Sequence, residues 1–491
     1  MRPRARRDEP IPHQLRPSGN PMNTTTPGRA VLLVATLAVL AGASSFVVAA
    51  GSQPPLEPLV RRDVAVSSAV DPARPCGRDA TAYAAAPPAP VAPAAADPAA
   101  PPPPRPQPPP PAPKVRFDAP ANTITLAAGH GVQLPELARI VDDPAALRET
   151  APGEWLLGAN LLVLGGASLE VTAPAVRWLM LSSGPAGFVS LKVLGGGLHV
   201  EGSCITSWDS GQGRVDSEYA DGRGFLLARD GATMTIDRAE LRYLGYGEVE
   251  SYGLSWRTEG TTGKITNSVV SHLYYGLYTY EVGSLAVQDN EFHDNVLYGI
   301  DPHTGSHDLL IERNVVHDNG KHGIILAEDC TDSVIRQNVV YNNEHHGIVL
   351  YLRSDRNVIE GNEVFGNVAQ GINVNESSGN TVRANIVYDN QESGIGIAQT
   401  AHDNLVEQNH VRNNQQDGVR LVSEAARTTV RGNVIGENTR YGVYIDSDGS
   451  FDLADNTIFG SRTGVMMRGV TAVPANDNSF SDNDEGDLVS G

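Results

Sequence analysis

Residues 314–375 read NVVHDNGKHGIILAEDCTDSVIRQNVVYNNEHHGIVLYLRSDRNVIEGNEVFGNVAQGINVN. A unit of Gly, aliphatic, any residue, aliphatic occurs three times within this stretch, as GIIL, GIVL and GINV. Followed outward, the same unit places its glycines at 253, 276, 299, 323, 347, 371, 394, 418, 442 and 464, in steps of 22 to 24 residues. Asparagines recur in phase at 267, 290, 314, 338, 362, 385, 409, 433, 456 and 478, and a second set runs through Asn295, Asn319, Asn343, Asn367, Asn390, Asn414 and Asn438. A fixed period in the low twenties with several short strands per unit is the mark of a solenoid. The units alternate like strands, and no helical spacing competes over the same residues. Leucine-rich repeats need another frame, and propeller blades need about twice this length. The expected fold is therefore all-β, a right-handed parallel β-helix with one coil per repeat, its asparagines stacked as ladders inside the turns.

In each unit the aliphatic residues point into the coil, so alternation turns the residue between them, and the one two further on, outward. Two columns result. One reads Ser255, Tyr278, Asp301, Ile325 and Val349, and the other Arg257, Tyr280, His303, Ala327 and Tyr351. Tyr278, Tyr280, Asp301 and His303 are thereby expected on one face, with Arg257 below and Tyr351 above. Pro302 lies between Asp301 and His303 and removes a ladder hydrogen bond from a strand. Local rules are broken in this way where geometry serves function. An exposed tyrosine patch with a His/Asp pair suits a sugar polymer lying along the coil.

Around this regular β-helix, assigned to 231–485, the chain changes character in steps. Residues 115–230 hold short strands between Gly-rich turns without the strict period, which are read as irregular rungs, with 135–148 as a short helix capping the open end. Residues 51–114 form a Pro/Ala-rich linker, with 15 of the 34 prolines falling between Pro87 and Pro113, and such a stretch is expected to stay extended and bury nothing. The uncharged run 30–50 follows a basic region, 1–29, and reads either as a signal peptide or as a membrane anchor, so export to the periplasm, the cell surface or the medium is expected.

The net charge of −20 argues against nucleic acid as a partner. Cys76, Cys204 and Cys330 are too few for a disulfide framework and lack the spacing of a zinc or redox motif. Seven of the 13 histidines lie between 293 and 346, yet the pairings lack a third ligand, so no metal site and no required cofactor is expected; acidic turns leave room for loosely held calcium.

The segment YGIDPHTGSH, Tyr298 to His307, resembles the mannuronan C5-epimerases, parallel β-helix enzymes that act on alginate and share a YG-aliphatic-DPH motif. The likeness is closer to the exported, biosynthetic type and extends through GYGEVESYGLS, YYGLYTYE and KHGIIL, over roughly residues 155–438. The resemblance implies an isomerase that converts β-D-mannuronate to α-L-guluronate within an anionic polysaccharide by inversion at C5. It implies proton abstraction by His303, tuned by its neighbour Asp301, with Tyr298 as the motif tyrosine. Five extended residues span roughly 16 Å, so Tyr298 meets His303 only if the chain folds back at Gly299; Tyr280 is the reserve acid. Arg257, Tyr278, Tyr280 and Arg353 are the candidate substrate-binding residues. Where the biosynthetic enzymes carry an arginine one rung past the histidine, this chain has Glu328, which would repel a uronate unless it is protonated or paired with Arg353.

Two rivals stand beside this reading. A polysaccharide lyase makes the same proton abstraction and then expels the 4-linked sugar, and a non-catalytic solenoid binds polymer through the tyrosines alone. A monomer is expected in each case.

Overall fold

The computed structural model describes Cys76, residues 112–470 and residues 475–491, all within one compact unit. The basic region, the run 30–50 and almost all of the linker lie outside the described residues. Among the described residues no helix is long and apolar enough to cross a membrane.

Each repeat contributes three short strands, and each strand pairs in parallel with its counterpart in the next repeat. Ile300–His303 pairs with Tyr275–Tyr280, Leu310–Glu312 with Ala286–Gln288, and Val315–His317 with Glu291–His293. Identical positions stack: Ile300, Ile324, Ile348 and Ile372 form one fully buried column, and Val316, Val340, Val364 and Val387 form another. The coil interior is one continuous apolar core.

The asparagine ladders are present as read. Asn319 donates from Nδ2 to Asn343 Oδ1 at 2.9 Å, and Asn343 donates to Asn367 at 3.0 Å, while backbone N–H groups share the same acceptors. The repeat glycine has a separate cause. At Gly347 an added Cβ would lie 2.5 Å from Val364 Cγ1 and 2.6 Å from the Gly371 carbonyl oxygen, so close approach of the next rung, rather than a left-handed φ, excludes any side chain.

Upstream, Lys114–Asp118 pairs antiparallel with Thr123–Gln133, and a helix follows at Leu134–Val141. Its Leu134 and Leu137 are buried on the end of the core, the cap that a solenoid end needs. The helix stops at Asp142, short of the anticipated 148, and the chain turns into the strand Leu147–Ala151. Apart from antiparallel pairs such as that of Lys114–Asp118 with Thr123–Gln133, the irregular rungs keep the parallel pairing of the regular ones and differ from them in loop length. Leu226–Arg229 pairs with Leu191–Leu194 on one side and Gly253–Arg257 on the other, so the coil runs through residue 230 without a break.

The linker does more than space. Cys76 forms a disulfide with Cys204 and packs against Leu156, Trp178 and Met180, which corrects the expectation that this segment buries nothing; three cysteines make no framework, yet two of them make one bond. A separation of 128 residues hides such a pair from spacing arguments. Cys330 is free and buried.

Candidate active site

The strand Ile300–His303 forms the floor of the site. On one side Tyr278 pairs with Asp301, Thr279 with Pro302 and Tyr280 with His303. On the other, only Ile300 and His303 retain partners, Ile324 and Ala327, whereas the next strand pair matches at all four positions. Pro302 is the reason, since it has no N–H to give.

The outward columns are less exposed than alternation suggests. Asp301 is 2% exposed and Tyr278 5%. The residues preceding the repeat glycines, Tyr252, Tyr275 and Tyr298, close over the floor and form a second apolar cluster, separate from the coil interior, together with Tyr278, Ile325 and Val349. Tyr275 contacts Tyr298 at 5.2 Å and Tyr278 at 5.7 Å between ring centroids, and Tyr278 stacks on His303 at 5.7 Å. Tyr298 is thus linked to His303 through Tyr275 and Tyr278, and belongs to the wall above the strand that carries His303. Tyr298 also stacks on His322, which stacks on His346.

His303 is not oriented by Asp301. Its Nδ1 lies 2.7 Å from the Thr304 hydroxyl, and that hydroxyl donates to Glu328 Oε2 at 3.2 Å. With its proton committed to a carboxylate, Thr304 accepts from Nδ1–H, which leaves the lone pair on Nε2. Glu328 thus holds the imidazole's tautomer at second hand; pairing with Arg353, one of the two alternatives the sequence left for it, does not form. Burial lowers the His303 pKa below 6.5, Glu328 opposes that shift and Arg257 adds to it, so the ring is neutral at neutral pH.

Asp301 instead faces Tyr298 and Lys321. Its carboxyl is wholly buried, with one oxygen lacking a partner, and burial pushes its pKa well above the usual carboxylate range, with Lys321 opposing and Glu328 reinforcing. Lys321 Nζ donates to the Tyr298 hydroxyl at 2.8 Å and lies 5.0 Å from its ring centroid. Burial pushes the Tyr298 phenol up, and nearby Asp301 adds to this, so the phenol keeps its proton. Arg257 is 3% exposed and held between the rings of Tyr278 and Tyr280, at 5.0 and 5.1 Å. Arg353 is elsewhere in its interactions: its guanidinium grips Asp329 at 2.6 and 2.8 Å on the exposed turn.

The sequence reading missed Lys321 and Thr304 and, of the wall tyrosines, Tyr252 and Tyr275. Lys321 stands two residues before a repeat glycine, in the column of Tyr274 and Leu297. Continuing the register two positions upstream of each glycine would have found it.

The histidine-rich region resolves into stacks. His293, His317, Tyr341, Phe365 and Tyr388 lie nearly parallel at 4.8 to 5.2 Å on a different side of the coil, the rung spacing itself. Among the described residues no group of three metal-ligating side chains converges.

Fold and site define a right-handed parallel β-helix with a tyrosine-walled face that carries buried Asp301 and Arg257 beside half-buried His303 and Lys321. Residues 223–375 match the family model described as right handed beta helix region, and 366–490 match that of the periplasmic copper-binding protein NosD. The chain is similar to the mannuronan C5-epimerase AlgG of Azotobacter vinelandii, 31% identical over 40% of this chain and 39% of that protein. It is similar also to the mannuronan C5-epimerase of Pseudomonas aeruginosa, 32% identical over 34% of this chain and 32% of that one. The chain thus matches between about a third and two fifths of the length of these relatives, and they bear out the resemblance carried by the YGIDPH motif. The crystal structure of the periplasmic alginate epimerase AlgG superimposes with a TM-score of 0.60 at 23% identity, covering 73% of this chain and 85% of that one, which establishes the shared fold.

Proposed function

We propose that the chain epimerises β-D-mannuronate to α-L-guluronate within alginate or a related polyuronate. The observation that carries this reading is the hydrogen-bond sequence from His303 through Thr304 to Glu328, which presents a neutral Nε2 in a groove whose wall carries a protonated phenol. The mannuronan C5-epimerase relatives support the substrate class.

Inversion needs the C5–H bond broken on one face of the sugar and remade on the other. His303 Nε2 takes the proton, and the electron pair left at C5 delocalises into the uronate carboxylate. That developing charge is met by Lys321 and by the neutral carboxyl of Asp301, which donates a hydrogen bond as a buried protonated acid can. Arg257 holds the neighbouring part of the chain. Tyr298, standing on the wall rather than the floor, returns a proton to C5; the imidazolium then releases its own proton to solvent and the Tyr298 phenolate takes one back, which restores both groups. Each step is a proton transfer between groups of this chain and the sugar, so no cofactor is required, and one copy carries every group.

Export supports the same reading: the run 30–50 directs the chain out of the cytoplasm, and a Cys76–Cys204 disulfide belongs to an oxidising compartment. The test is incubation of polymannuronate with the protein, followed by absorbance at the wavelength of unsaturated uronate ends. Guluronate without that absorbance is the expected result; unsaturated ends would make the chain a lyase.

A further inference from the structure

The groove does not end at His303. Along the column that contains Asp301 the floor continues through Ile325, Val349, Asn373 and Gly396 to Arg420, and then Tyr444. Asp301 to Arg420 is five rungs, about 24 Å at the spacing of parallel strands.

At the far end stands a second cationic cluster. Asp417 is fully buried and takes Arg420 Nη1 at 3.0 Å together with Arg440 Nε and Nη2 at 3.1 and 2.6 Å. Two guanidinium groups share this one carboxylate, and both side chains remain partly open to solvent, at 28% and 40%. Arg420 lies 4.8 Å from the Tyr444 ring centroid and Arg440 lies 5.4 Å from that of Tyr441, so each guanidinium sits over an aromatic ring. Of the five N–H donors on each arginine, Asp417 engages a minority on Arg420 and leaves donors on Arg440 Nη1. Glu392 is the neighbouring acid, and burial pushes its pKa up against the pull of both arginines.

We infer that Arg420 and Arg440, fixed by Asp417, Tyr441 and Tyr444, form a second anionic subsite that binds the carboxylate of a uronate in the same polymer chain, about five sugars from the one at His303. The inference rests on the polyuronate reading, because it takes the ligand to be an extended uronate chain that advances by roughly one rung per sugar. A pre-oriented guanidinium fork is the group best matched to a carboxylate. The groove then measures polymer length: a short oligomer fills the site at His303 alone, and a longer one reaches both.

The test measures binding of mannuronate oligomers of about three and about eight sugars to the full chain. The native protein is expected to bind the longer oligomer about tenfold more tightly, a difference that shrinks with added salt, as one charge-assisted contact provides. Combining Arg420→Gln and Arg440→Gln with Asp417→Asn, so that no buried carboxylate is left unpaired, is expected to erase that step. Equal affinity for both lengths in the native protein, or a step that persists in the folded variant, would overturn the subsite. If the variant does not fold, the native length step and its salt dependence decide the matter alone. Product analysis of the same samples separates the two readings: a length step without guluronate sinks the epimerase and leaves the subsite, whereas guluronate without a step sinks the subsite only.

Discussion

At the residue scale the reading turns on how His303 is held. His303→Ala is expected to lose turnover by about two to four orders of magnitude with the circular dichroism unchanged, because general-base removal costs that much and the side chain lies outside the coil interior. A collapsed fold in that variant would instead make His303 a structural residue. Glu328 acts through Thr304 and is a positioning residue. It raises the His303 pKa against burial, so Glu328→Gln should lower that pKa and move the acid limb of the kcat/KM profile to lower pH, while loosening the imidazole and reducing kcat. An acid limb that stays in place, or moves up, would contradict this role. In the native protein that limb falls below pH 6.5, since burial is the first cause of the shift.

At the scale of strands and turns, stability comes from identical neighbours. Asn343 accepts from both the side chain and the backbone N–H of Asn319. Asn343→Ala leaves the buried backbone N–H of Asn319 without an acceptor and removes the amide that donates to the Val316 and Tyr341 carbonyls, and is expected to destabilise by about 2–4 kcal/mol, read from denaturant unfolding. Gly347→Ala places its methyl against Val364 and the Gly371 carbonyl and is expected to cost at least as much; a neutral result would mean that the rungs can part there. These elements were legible in the sequence because a period of 22 to 24 residues repeats the same physical requirement many times. The two outward columns were legible for the same reason. What escaped were relations that do not repeat. The Thr304 relay depends on two residues a rung apart that are found together once, and the burial of Asp301 depends on tyrosines preceding the glycines, a column that the strand frame leaves out. The disulfide joins segments without a common period.

At the scale of the whole molecule, buried neutral histidines and one covalent tie set the limits. His346 is pushed down to about 3 and His272 to about 4, burial being the main cause in each. Their folded pKa values lie below the unfolded value, so the unfolded chain binds protons that the fold refuses. The stability they confer is complete above pH 6.5, and it falls as pH drops from there through about 4 and 3. A melting temperature constant between pH 7 and 4 would refute this. Removing the tie through Cys76→Ser is expected to cost about 2–5 kcal/mol, and a reductant should lower the melting temperature of the native chain and leave that of the variant unchanged. The central claim is that this coil moves a proton at C5 of a uronate within a polymer. Proton NMR of polymannuronate incubated with the protein in deuterium oxide addresses it without intermediaries. Guluronate signals with deuterium at C5 are the predicted result; guluronate that keeps its original C5 proton, or a polymer left unchanged, would contradict it.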